Sequence, residues 1–226
     1  MSSTPPVERV TVAGDYRLSS DQVEAAFCEQ ELWHWGQPAR FKVVDLDPVV
    51  ITSGAVVPGD PMFGSLAALK RRIPPGAYPV SLALVRLSSG DERIAFARMQ
   101  LSTASVVAWE TGWHEAVSES LLRDGQHQAV RREYAFCYSD VGAGCFMDVA
   151  AVSSIRNLPF DDYHSLLEEG FDNNRRKTWS WYAFKPDPSR QENVVCFQTE
   201  AGGWPSHFGL DAQGNAAVIV TDFRMF

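Results

Sequence analysis

The stretch from Pro79 to Leu101 constrains the fold more than any other. Val80, Leu82 and Leu84, followed less cleanly by Arg86, recur at every second position from Pro79 to Leu87. Ser88-Ser89-Gly90-Asp91 supplies turn chemistry. Arg93 to Leu101 then returns, with Ile94, Phe96 and Arg98 alternating against Ala95, Ala97 and Met99. A period of two sends successive side chains to opposite faces of a strand. Two such runs about a polar turn are the pattern of an antiparallel hairpin.

Further strands are expected at Val7 to Val12, Phe41 to Asp45, Val49 to Thr52, Val106 to Glu110 and Tyr134 to Tyr138. Others fall at Trp179 to Phe184, Val194 to Gln198 and Ala216 to Phe223. Asp47-Pro48 splits the second and third of these, and Asp211 to Asn215 is a hairpin turn leading from Phe208-Gly209-Leu210 into the last.

Helices are fewer. Ser19 and Gln22 fit a capping box, with Val23, Ala26 and Phe27 on one face of a helix that stops near Trp35-Gly36. Others are expected over Trp113 to Arg123 (capped by Gly125), Met147 to about Arg156, and Phe160 to Glu169, ended by Gly170. Their spacing is too irregular for repeating βαβ units. The fold class is therefore α+β: a largely antiparallel sheet with a few intervening helices. The 226 residues show no shift of composition, so a single domain spans 1–226, with Met1 to Pro6 as a flexible tail.

Charge and cysteine usage bound the function. A net charge of −8 opposes phosphate backbones, so nucleic acid is not expected as a partner, whereas a basic protein is. The four cysteines form no Cys-x-x-Cys pair and read as reduced, mostly buried thiols. Met1 to Pro6 lacks the basic and apolar regions of a signal peptide, and no apolar run approaches the ~18 residues of a membrane span. The expected location is the cytoplasm. Most of the seven Trp are expected in the core.

The sharpest local feature is Asp140-Val141-Gly142-Ala143-Gly144-Cys145-Phe146-Met147-Asp148, between an apolar strand and a helical pattern. Two roles fit it. Glycines allow close backbone approach, and helix N-terminal N–H groups attract anions, so Asp140 and Asp148 would rim a phosphate or carboxylate pocket. Two carboxylates beside a phosphate require a divalent cation between them. The plainer role is a tight strand-to-helix turn, with Asp148 or Asp140 as the helix cap. The motif is neither a Walker loop nor a complete dinucleotide fingerprint.

Cys145, at the mouth of that turn, has the position of a lowered-pKa thiol or of a small buried residue. Ala201 to Gly209 is a second glycine and aromatic cluster. It reads either as a loop exposing Trp204 and His207 to a ligand or as a bulged turn into the last hairpin. The candidate ligand-binding residues are thus Asp140, Gly142, Gly144, Cys145, Asp148, Trp204 and His207. The histidines lack metal-ligand spacing, no cofactor is required, and no catalytic motif is present.

Several segments together resemble a known family: Pro75 to Val80, Ala95 to Arg98, Trp109-Glu110, Gly142 to Asp148, Phe208 to Asp211 and Thr221 to Phe223. Their order and spacing resemble the bacterial domain of unknown function 4241 over roughly residues 40 to 226, with Gly-Cys-Phe-Met-Asp as the most specific part. Family members commonly carry Gly-Asp-Gly-x-Tyr before the last hairpin. Here Ala201-Gly202-Gly203-Trp204-Pro205 lacks that acidic residue. The resemblance implies a bacterial, cytosolic, single-domain protein and supplies no reaction.

Two functions follow as expectations. The first is a non-enzymatic, immunity-type interaction protein that captures a basic partner. The second is a small-ligand binder or metal-assisted enzyme built on the Asp140 to Asp148 turn.

Overall fold

A computed structural model of the chain describes residues 18–34, 37–62, 66–86, 90–115, 136–139 and 142–225. The expected Val7 to Val12 strand, the 1–6 tail, Asp140 and nearly all of the Trp113 to Arg123 helix lie outside the described residues.

The first sheet is built from β1 (Glu31–His34), β2 (Gln37–Ile51), β4 (Gly76–Arg86), β5 (Glu92–Gln100), β6 (Ala108–Thr111), β7 (Phe136–Ser139), β11 (Gly202–Leu210) and β12 (Ala216–Asp222). Its order is β1-β2-β4-β5-β12-β11-β6, with β7 also pairing β11. The second contains β3 (Val56–Gly59), β8 (Ala143–Asp148), β9 (Trp181–Phe184) and β10 (Val194–Gln198), in the order β3-β8-β10-β9. Every pairing among the described residues is antiparallel. Among the described residues the helices are α1 (Ser20–Phe27), α2 (Val149–Arg156) and α3 (Phe160–Asn173). Among the described residues the fold is mostly sheet, as the α+β reading requires.

Three apolar clusters define the layering. Val80, Leu82, Met99, Phe208 and Ile219 of the first sheet meet Phe146, Val195 and Phe197 of the second. Each fully buried aromatic or aliphatic side chain there contributes about 2 kcal/mol of transfer free energy. Behind the second sheet, Cys145, Met147, Val194 and Cys196 pack on Val152, Ile155, Leu167 and Phe171 of α2 and α3. Outside the first sheet, Val85, Phe96, Trp109 and Val220 are covered by Val23 and Ala26 of α1. The order is helix, sheet, sheet, helix pair.

Local chemistry explains most elements. The Ser19 side chain accepts the Gln22 N–H at 3.3 Å and caps α1. The helix ends at Phe27 rather than near Trp35, and β1 takes up the following residues. Phe41 to Asp45 and Val49 to Ile51 are parts of one strand, β2, and Thr52 lies just beyond its end. The Asp47-Pro48 pair appears there as a register break between Leu46 and Val49, where a residue without an N–H is tolerated. Gly170 does not end α3, which continues to Asn173. A Cβ on Gly170 would lie 2.2 Å from the Tyr182 ring, so the glycine's role is close approach of α3 to β9.

Trp109, Trp179 and Trp204 are buried, whereas Trp33 is exposed. Trp179 and Trp181 stack at 5.4 Å, although the strand expected from Trp179 begins only at Trp181.

Candidate functional site

The segment read as a turn into a helix divides differently. Gly142 adopts φ +73°, and its carbonyl accepts the Thr199 N–H at 2.7 Å. An added Cβ would meet the Thr199 carbonyl oxygen at 2.7 Å, so both conformation and space call for glycine. Ala143 to Asp148 then form β8, a strand the sequence reading did not anticipate, and the helix begins only at Val149. Gly142 and Gly144 therefore lie at the far end of a strand from the α2 N-terminus. Gly144 rests against the Phe197 ring.

Asp148 lies where β8 becomes α2, and it is fully buried. Oδ1 accepts the Ala150 N–H at 2.7 Å, capping α2. Oδ2 accepts the N–H groups of Thr52 and Ser53, both at 2.8 Å, and the Ser53 hydroxyl contacts both oxygens at 2.8 and 2.9 Å. Buried carboxylates need this density of donors. The Thr52 hydroxyl donates to Glu192 Oε1 at 2.5 Å, and Arg190 Nε lies 3.1 Å from Glu192 Oε2. The Arg190 guanidinium and the Thr52 hydroxyl hold the Glu192 carboxyl down to about 2. Asp148 and Glu192 together fasten the β2–β3 connection to α2 and to the loop before β10.

The other expected residues are placed separately. Cys145 is buried on the helix side of the second sheet. His207 is buried in β11, opposite Thr111 of β6 and Val220 of β12, and burial pushes its imidazole down to about 4. Trp204 is buried in the same strand and meets the Phe223 ring edge-on at 5.1 Å. The structure thus brings Gly142 and Trp204 to one end of the inter-sheet core, while Asp148 lies at the other end of β8. Asp140 lies outside the described residues. Among the described residues, no group of three or more His, Cys, Asp or Glu side chains could hold a metal ion.

Beside Trp204 opens a cleft of about 180 Å³ lined by Arg93, Thr178, Gln198, Glu200 and Arg224. Arg93 pairs with Glu200 at 2.9 Å across it. Gly142 supports the turn at residues 199–201 that forms one wall. The sequence reading found Trp204 but not the arginines, which lie far apart in the chain and converge only through β5 and the segment after β12.

On the opposite side of the second sheet, α3 turns Tyr163, Leu167 and Phe171 inward. Its outer side carries Asp161, Asp162, Glu168, Glu169 and Asp172, all exposed, with Phe160 57% exposed at its start. His164 lies 3.5 Å from Glu168, and Arg175 pairs with Asp172.

These features define a two-sheet α+β protein with a fully hydrogen-bonded buried carboxylate where β8 meets α2 and an acidic outer helix. The chain belongs to the protein-of-unknown-function family DUF4241, whose family model matches residues 49–221, from within β2 to within β12. No curated protein and no solved structure matches the chain significantly. No helix among the described residues is long and apolar enough to cross a membrane.

Proposed function

We propose that this is a binding protein, of the kind that captures and neutralises a basic protein partner, rather than an enzyme. The observation that carries the reading is the outer face of α3: five exposed carboxylates with one exposed Phe at the helix start. Carboxylates on a surface helix are often only a solvated face. Here the net charge of −8 extends their field, and such a field steers encounter with a basic surface. Phe160 supplies the kind of large apolar anchor that interfaces use to hold a partner once it arrives.

The test is affinity capture from the native cell, with the wild type and a variant carrying Asp161→Asn, Asp162→Asn, Glu168→Gln and Glu169→Gln. The expected result is a basic protein retained by the wild type, released by salt, and lost in the variant. Equal retention by the neutralised variant, or an acidic partner held through another face, overturns the assignment.

A second reading, small-ligand binding near the glycine-rich turn, is favoured by the cleft between Arg93, Glu200, Trp204 and Arg224. Its ligand would be small and anionic or zwitterionic, matching two guanidiniums and one carboxylate. A thermal-shift screen of sugar phosphates, nucleotides and divalent cations, repeated on Arg224→Ala, separates this reading from the first.

A further inference from the structure

A groove of about 310 Å³ crosses the outer face of the first sheet, between α1 and residues 104–106. Val218, Val220 and Trp109 form its apolar floor, and Phe27 and Cys28 stand at the α1 side. Its volume falls at the lower bound of small-molecule sites, which join apolar walls to a few polar groups. The decisive polar group is Arg98 on β5. Its guanidinium lies 4.0 Å from the centre of the Phe27 ring, and its Nε donates to the Ser81 hydroxyl at 3.3 Å. Among the described residues Arg98 makes no ion pair, although a guanidinium carries five N–H donors in a fork suited to a carboxylate.

Arg98 reaches this groove because of a bulge. Ala83 pairs with Phe96 but Leu84 pairs with Ile94, so Ala95 is the extra residue in β5. From Phe96 onward the alternation is reversed: Ile94 faces the other sheet, whereas Phe96 packs in the outer cluster. Burial lowers the Arg98 pKa below its ordinary value, with Asp45 opposing that shift, and the side chain stays a cation at neutral pH. Among the described residues the one carboxylate lining the groove, Glu24, is exposed on α1 and so is screened by water.

We propose that this groove binds a small carboxylate with an apolar or aromatic body, the carboxylate on Arg98 and the body over Trp109 and Val218. A half-buried guanidinium already stacked on an aromatic ring has little side-chain freedom left to lose. A charge-assisted pair in an apolar surround is the strong kind. A phosphate fits less well, since among the described residues the groove offers one cation, Arg98, and apolar walls. The site is independent of the basic-partner reading, which uses α3 on the opposite outer layer.

The test uses the full chain with 3-phenylpropionate as probe and its neutral amide as control. The acid is expected to raise the melting temperature and to slow alkylation of Cys28 by iodoacetamide, followed by peptide mass spectrometry. The amide should bind at least about tenfold more weakly, the lower end for a charged hydrogen bond. Arg98→Met, which keeps the stem, should bind acid and amide alike. Arg98→Lys should keep the preference for acid at reduced affinity, and it serves as the working variant if the Met form does not fold. No shift with the acid, equal binding of acid and amide by the wild type, undiminished acid binding by Arg98→Met, or unprotected Cys28 each overturn the proposal.

Discussion

The carboxylate of Asp148 receives Ser53 twice: its backbone N–H at 2.8 Å and its hydroxyl at 2.8 and 2.9 Å from the two oxygens. Residues 95 positions apart are thereby fixed at the junction of β8 and α2. Asp148→Asn turns one acceptor into a donor facing other donors. It should lower stability by about 3 kcal/mol in denaturant unfolding, whereas Ser53→Ala should cost about 1 kcal/mol. An Asn variant within about 0.5 kcal/mol of wild type would contradict this account. Any effect of Asp148→Asn on ligand binding must accordingly be measured below the variant's own melting transition.

Gly170 and Tyr182 make a second pair. Cβ at position 170 would lie 2.2 to 2.5 Å from three atoms of the ring. Gly170→Ala should destabilise by about 2 kcal/mol, as overpacking does, despite alanine's better helix propensity. In a Tyr182→Ala background the cost should fall by about 1 kcal/mol or more, and a double-mutant cycle reads that coupling.

His207 makes stability depend on mild acid. Burial holds its folded pKa near 4, below the ordinary 6.5. The folded state therefore binds fewer protons, and its stability is full above about 6.5 and declines as pH falls towards 4. His114, also lowered by burial, adds to the same slope. Unfolding free energy measured between pH 7 and 4 should fall, and the fall should be shallower in His207→Gln. An unchanged slope in that variant would remove His207 from the explanation.

The thiols should react in a fixed order. Cys28 is exposed, whereas Cys145 and Cys196 are buried. Burial pushes the Cys196 thiol up, and its S–H meets the Tyr182 carbonyl at 3.1 Å. Native alkylation should label Cys28 quickly and leave Cys145 and Cys196 untouched until denaturant is added. Labelling of Cys196 in the native protein would show that β10 opens locally.

Local signals were legible where a single residue type decides the conformation. The Ser19 cap, the Asp211 to Asn215 turn, the Val194 to Gln198 strand and the β4–β5 hairpin are all where their residues point. Strand β8 was not legible. Ala143-Gly144-Cys145-Phe146-Met147 has little alternation because both of its faces are buried, one against each core cluster, and such strands lose the period that reveals them. Ala201 to Gly209 reads as a loop or a bulged turn for a similar reason. Its glycines and proline are strand residues here because β12 and, in succession, β7 and β6 pair with it.

The sequence by itself determined the class, an antiparallel α+β fold, because alternation and turn chemistry act over a few residues. It also offered a helix cap at Asp148 or Asp140, since a carboxylate before an apolar helix has that local use, and the structure places the cap on Asp148. Only the tertiary structure decided which face each side chain serves. Ile94, Phe96 and Arg98 share one face in an unbroken strand, and one extra residue at Ala95, whose carbonyl accepts the Phe223 N–H at 3.0 Å, separates the first from the other two. That choice rests on contacts over a hundred residues away in the chain, where no local pattern reaches.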